Sequence, residues 1–187
     1  MKNHVLFSIA LLLATGTVSA QSARNAISAE LGLGSLEYGN SIEDIDDSNS
    51  DVSWSGSLFF ERGLTPYIGL SIGLHTGEGS SLDINEAGTN ATTKAELKYQ
   101  AVSVSAISYF HFSSVNRLYG AAGINYNTVE LNSSSNRLLD ESGVGFNVRV
   151  GWEHQFSQTL SMSVGIQRLS LEKIDVNTTN IGVKMSF

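Results

Sequence analysis

Cysteine is absent from the 187 residues, and proline occurs once. Without cysteine there is no disulfide framework, no thiolate metal site and no cysteine nucleophile. Charge is scarce as well, at 16% of residues, and it runs acidic: 11 Lys and Arg against 18 Asp and Glu, a formal net charge of −7. That balance, with a pI near 5.0, excludes the basic footprint a nucleic-acid partner requires. No apolar run is long enough to cross ~30 Å of hydrocarbon as a helix. The length fits one domain, leaving no room for a cofactor domain beside a substrate domain, and no cofactor is expected. Ser, Asn, Thr and 18 Gly fill the space that charge leaves.

The first residues carry an export pattern. Lys2 is the positive start, Val5 to Ala14 is a short apolar run, and Val18-Ser19-Ala20 sets small residues at the −3 and −1 positions of a cleavage site. Residues 1–20 are therefore expected to be a signal peptide and 21–187 the folded domain. An exported chain without cysteine suits a periplasm or outer membrane.

Beyond residue 25 the chain alternates. Ile27, Ala29, Leu31 and Leu33 fall on one parity, with Ser28, Glu30, Gly32 and Gly34 on the other. The same pattern recurs at Ile68–His75, Val144–Glu153, Leu160–Ile166 and Ile181–Phe187, and more weakly at Val52–Phe60, Thr93–Phe110 and Leu118–Val129. Successive side chains of a strand point to opposite faces, so each segment has one apolar and one polar face. Eight strands result. Short connections (Arg62–Pro66, His111–Arg117, Gln155–Thr159) alternate with mostly longer polar ones (Gly39–Asp51, Gly77–Thr92, Glu130–Ser142, and a briefer Ser170–Asp175).

A water-soluble β-sandwich also alternates. Segments of about ten residues favour a tilted membrane crossing instead, since globular strands centre near five or six. Aromatics on the apolar parity form two expected girdles: Trp54, Tyr99 and Tyr126 toward the long loops, and Phe60, Tyr109, Trp152 and Phe187 toward the short turns. Closure is what leaves no sheet edge unpaired in lipid. The expected fold is all-β: a transmembrane, eight-stranded, antiparallel up-and-down barrel with both termini at the short-turn end. The fourth strand is ambiguous. Leu97, Tyr99 and Ala101 share a parity with Ile107 and Tyr109, yet Ser103 and Ser105 lie between them, so either a bulge flips the register there or the faces of this strand are misassigned.

The polar parity places Glu30, Glu61, Arg149, Glu153, Gln167 and Lys184, with His75 and Tyr67, inside the barrel. Eight strands enclose a space just wide enough for side chains to fill, so Arg149 and Lys184 are expected to pair with the glutamates; a narrow ion path is the alternative. Glu43, Asp44, Asp46, Asp47 and Asp51 make the first long loop acidic. Its spacing fails the EF-hand pattern, and a solvated loop that shares divalent cations with lipopolysaccharide phosphates is expected, with no dedicated metal site. His111-Phe112-Ser113 has the order of a His/Ser catalytic pair but no nearby acid, and it sits in a short turn. Asn90, Asn132 and Asn177 open Asn-x-Ser/Thr triplets read as loop composition.

Ser108-Tyr109-Phe110-His111-Phe112, then Leu118-Tyr119-Gly120-Ala121-Ala122-Gly123-Ile124-Asn125-Tyr126, resembles the fourth strand, turn and Gly-rich fifth strand of the OmpX/Ail/Lom family of small outer-membrane barrels. Gly145-Phe146-Asn147 and the closing run Ile174 to Phe187 are similar to the family's sixth and last strands, although Lys184 and Met185 replace its usual Gly and Tyr. The resemblance covers roughly the last half of the chain. It implies a monomeric surface protein, not an enzyme, in contact with outer-membrane lipid and lipopolysaccharide. It also implies a Phe187 read by the assembly machinery and loops that meet host matrix or serum proteins. A narrow channel and a passive envelope barrel are the competing expectations.

Overall fold

The computed structural model describes residues 24–38, 51–79, 82–85, 92–133, 137–171 and 174–187. The expected signal peptide lies outside them, as do Glu43, Asp44, Asp46, Asp47 and Asn90. Among the described residues there are nine strands: β1 (Asn25–Tyr38), β2 (Asp51–Gly63), β3 (Ile68–Gly79), β4 (Leu82–Asn85), β5 (Thr92–His111), β6 (Asn116–Ser133), β7 (Arg137–Gln155), β8 (Leu160–Ser170) and β9 (Ile174–Ser186). Each neighbour pair is antiparallel, β1 meets β9, and the β3–β5 pairing closes the ring. Eight strands thus form a closed barrel, with the four-residue β4 laid only against β5 among the described residues. Closure satisfies every backbone group that would otherwise face hydrocarbon.

The two parities separate as the alternation demands. Ile27, Leu31 and Leu33 face outward with Leu58, Leu74, Ile124, Val144, Val150, Ile166 and Val183, each well exposed, and Leu31 reaches 68%. Ser28, Glu30, Ser57, Ser71, Ser103, Asn125, Asn147, Arg149, Ser163 and Lys184 are buried inside. Outward aromatics at the two ends include Trp54 and Tyr126 above, and Phe110, Phe112, Phe156 and Phe187 below.

Four expectations are corrected. First, β5 has no bulge: its register against β3 and β6 is unbroken, and Tyr99 and Tyr109 are inside the barrel, not in the girdles. Second, Tyr67 is exposed in the first short turn and outside the lumen, because the strand begins one residue later. Third, most of the expected loop 130–142 is strand, since β6 runs to Ser133 and β7 starts at Arg137; Gly77–Thr92 likewise loses residues to β3 and β4. Fourth, Asn132 and Asn177 lie in strands, not loops.

The fourth-strand ambiguity has a physical cause. Leu36, Leu97, Tyr99, Ala101, Val129, Leu169, Leu171, Ile174 and Val176 form one buried apolar cluster inside the long-loop end, with Val129 fully covered. Their outward neighbours are Glu37, Lys98, Glu130, Arg168 and Asp175. At this level the barrel is apolar within and charged without, as in any protein surrounded by water. Lower down it is apolar without, as lipid requires. The apolar parity therefore switches along β1, β5, β6, β8 and β9 where the surrounding solvent changes, while the register of β5 against its neighbours does not.

Candidate functional site

β6 shows how the lumen is layered. Its inward side chains, read from the short turn upward, are Arg117, Tyr119, Ala121, Gly123, Asn125, Asn127 and Val129: charged, then small and amide, then apolar.

The lowest layer is an ion chain. Glu30 on β1 accepts from Arg149 Nη1 at 2.8 Å, and Arg149 Nη2 reaches Glu61 Oε1 on β2 at 3.0 Å. Glu61 Oε2 lies 2.7 Å from Lys184 Nζ on β9, which is 2.7 Å from Glu153 Oε2 on β7. Glu153 Oε1 then accepts from Arg117 Nη2 at 2.6 Å. Signs alternate along all six groups, so each buried charge has an opposite neighbour, the condition under which such charges are tolerated away from water. The structure thus brings together Glu30, Glu61, Arg149, Glu153 and Lys184. Two members were missed by sequence. Tyr109 donates to Glu61 Oε2 at 2.7 Å, and Arg117 stacks 4.0 Å over the Tyr109 ring. Tyr109 shares its parity with Ser103 and Ser105, a signal that it faces inward.

Above the ions, His75 bonds Ser57 Oγ at 3.0 Å through Nδ1 and Ser103 Oγ at 2.9 Å through Nε2. Gln167 accepts from Asn180 Nδ2 at 3.1 Å. The apolar cluster closes the lumen above this polar layer. At the other mouth a vestibule of about 270 Å³, lined in part by Arg24, Thr65, His111 and Gln155, ends on Glu61, Tyr109 and Arg117.

The His/Ser pair is not assembled for catalysis. Ser113 Oγ accepts from Val115 N, Asn116 N and Asn116 Nδ2, which makes it the staple of a short turn, while the His111 ring lies against Tyr67 and Tyr109. His154 sits at the lower rim against Trp152 and Phe156, with Nδ1 2.8 Å from Asn116 Oδ1. Among the described residues no group of acids and histidines is arranged to hold a metal. Asp51 begins β2 opposite Leu36. Phe187 is exposed, and its backbone pairs with Asn25.

The long-loop end is uneven. β5, β6 and β7 have 20, 18 and 19 residues, whereas β8 has 11. A crossing strand needs only about 9–11, so these three continue beyond the apolar belt as a wall, with β5 and β6 contributing to the inner cluster. On this wall β7 pairs with β6 from Arg137 downward, but its ladder with β8 begins only at Asn147↔Leu169.

A closed antiparallel ladder, an apolar outer belt edged with aromatics and an ion-paired interior define an integral β-barrel of the outer membrane. The chain belongs to the outer membrane protein β-barrel domain family, whose model matches residues 8–187. Among curated proteins none matches the sequence. Solved structures with the same fold include Neisserial surface protein A (NspA), at 11% identity and TM-score 0.66, covering 89% of this chain and 100% of that one. Ail, the attachment invasion locus protein of Yersinia pestis, matches at 13% and 0.57 over the same shares. OprG from Pseudomonas aeruginosa matches at 13% and 0.56, covering 90% and 97%. At the level of fold, the resemblance to the OmpX/Ail barrels is borne out. The family and these structures are outer-membrane barrels rather than enzymes in general.

Proposed function

We propose that this protein is a surface interaction protein whose part above the lipid belt meets host or environmental partners. The observation that carries this reading is the β5–β6–β7 wall. It rises past the length a membrane crossing needs, above an apolar cluster that β5 and β6 share with β1, β8 and β9, so it is a shaped surface and not a minimal turn. Two expectations join the proposal: removal of residues 1–20 at export, and recognition of the terminal strand with Phe187 by the assembly machinery. Outward apolar residues would contact lipid and lipopolysaccharide, and the barrel would act as a monomer without catalysis.

The channel reading draws less support. The charges that suggested it are consumed in pairs, and nine apolar residues close the lumen above them. One Ail structure holds the heparin analogue sucrose octasulfate, a polyanion. The acidic upper strands of this chain speak against the same ligand class here.

The test is display of the full protein on a non-adherent bacterial strain, beside a variant whose β6–β7 hairpin is shortened to a turn between Thr128 and Ser142. Cells retained on immobilised laminin, fibronectin and collagen are counted. Retention lost with the hairpin is the expected result. Equal retention by both, or none by either with surface display verified, would discard adhesion through this wall.

A further inference from the structure

The short-turn mouth is a concave site whose acids are already taken. Its vestibule of about 270 Å³ ends on Glu61, Tyr109 and Arg117. Glu61 accepts from Arg149, from Lys184 and from the Tyr109 hydroxyl, and Glu153 accepts from Lys184 and Arg117. The ion chain as a whole holds three acids and three bases, so it is neutral. None of the short turns adds an acid.

What is left over is positive and donating. Arg24 lines the vestibule and makes no ion pair among the described residues, while the Gly63 N–H fixes its backbone by donating to the Arg24 carbonyl at 2.9 Å. An oxygen of Phe187 stays with the Asn25 N–H at 3.1 Å. Arg117 has five N–H donors. It spends one on Glu153, and its side chain is 25% exposed. Ser161, only 3% exposed, lines the same cavity with a hydroxyl that bonds no other described residue. The Gln155 amide and the His111 ring nitrogens are likewise unbonded among the described residues.

We propose that the vestibule binds a small monoanionic carboxylate, no larger than a dipeptide. Arg24 and Arg117 hold its carboxylate, and Ser161, Gln155 and His111 donate to its carbonyl oxygens. A few convergent polar groups in a concave site fix a ligand's orientation in this way. The volume is about nine times the ~30 Å³ that one water occupies in the liquid, which suits a compound of about that many heavy atoms. Charge and shape choose the anion. A phosphate monoester carries about −1.5 to −2 at pH 7, more than one unpaired Arg balances. A single carboxylate matches that charge and the planar guanidinium. This mouth lies at the opposite end of the barrel from the wall, so the site stands whether or not the wall meets a partner.

The experiment titrates the full-length protein in phosphatidylcholine nanodiscs with N-acetylglycine, which carries one carboxylate, and with its uncharged amide. Backbone amide shifts of the isotope-labelled protein report binding and its place. N-acetylglycine shifts the signals of Arg24, His111, Gln155 and Ser161 to saturation, and the amide does not. Arg24→Gln weakens binding roughly tenfold or more, as expected for a lost hydrogen bond to a charged group. Arg168→Gln, at the far end of the barrel, leaves binding unchanged, and heat-dependent gel mobility shows both variants folded. Should Arg24→Gln not fold, Ser161→Ala decides, with an expected loss of roughly threefold or more. Absence of saturable shifts, an equal response to the amide, or shifts outside the short-turn end overturns the inference. So does a loss with Arg168→Gln as large as with Arg24→Gln, or undiminished binding by the folded Arg24 or Ser161 variant. Inorganic phosphate that binds the same residues more tightly than N-acetylglycine overturns the assignment to a carboxylate.

Discussion

Arg149 lies between two carboxylates that are themselves out of reach of water, and its guanidinium also sits 3.8 Å over the Phe59 ring. Replacing one partner of such a group leaves buried charge uncompensated, which costs more than the pair contributes when complete. Arg149→Met should therefore lower stability by about 3–5 kcal/mol. Adding Glu30→Gln should return part of the loss, because the Glu30 carboxylate pairs with Arg149. Urea unfolding in lipid vesicles, followed by Trp54 and Trp152 fluorescence, measures both. A loss within about 0.5 kcal/mol, the range of an ordinary surface substitution, would show that the chain of ions does not hold the barrel. Alternation alone located Glu30, Glu61, Arg149, Glu153 and Lys184. Who pairs with whom was beyond it, since the partners come from β1, β2, β7 and β9 and meet only when the ring closes.

In β5 the change of solvent is written along a single strand. Gln100 and Val104 both point outward, four residues apart, yet the first is level with the polar rim and the second lies in the apolar belt. Val104→Arg should cost about 2–4 kcal/mol and Gln100→Arg only about 0–1, following depth in the bilayer. The same vesicle unfolding measurement decides it, and equal costs would mean the belt does not end between them. Sequence placed β1, β3, β7, β8 and β9 on the correct faces because their apolar residues are mostly outward over the whole crossing. It misjudged β5 because Leu97, Tyr99 and Ala101 lie above the belt and Ile107 and Tyr109 pack inside its lower mouth. An apolar residue reports only that it avoids water, and inside the barrel or in lipid it does so equally well.

At the scale of the molecule, a paired ionic floor lies below an apolar cluster inside the barrel. In a voltage-clamped planar bilayer the purified protein should show no resolved conductance steps. Steps in the unaltered protein that vanish with Lys184→Met would show that the ion chain lines a path and that the apolar cluster does not seal it. Among the described residues the outer surface is divided too, with Glu37, Glu78, Glu130 and Asp175 toward the long-loop end beside Lys98 and Arg168, and Arg24 and Arg62 at the short-turn end. Such a surface presents a net negative charge at the long-loop end.

The eight barrel strands, their antiparallel order, the closed ring and the polar lumen were determined by the sequence itself, because a period of two and the alternation of short and long connections are local properties of the chain; the short β4 was not. The height of the β5–β6–β7 wall, the apolar cluster below it and the stretch of β7 that pairs with β6 alone among the described residues were decided by tertiary structure. They depend on where one strand stops relative to another, as β8 does at Ser170 while β7 continues to Arg137. No local pattern records that offset, because a residue that continues a ladder and one that enters a loop can have the same composition. Which of the two it becomes depends on whether a neighbouring strand is still there to pair with it.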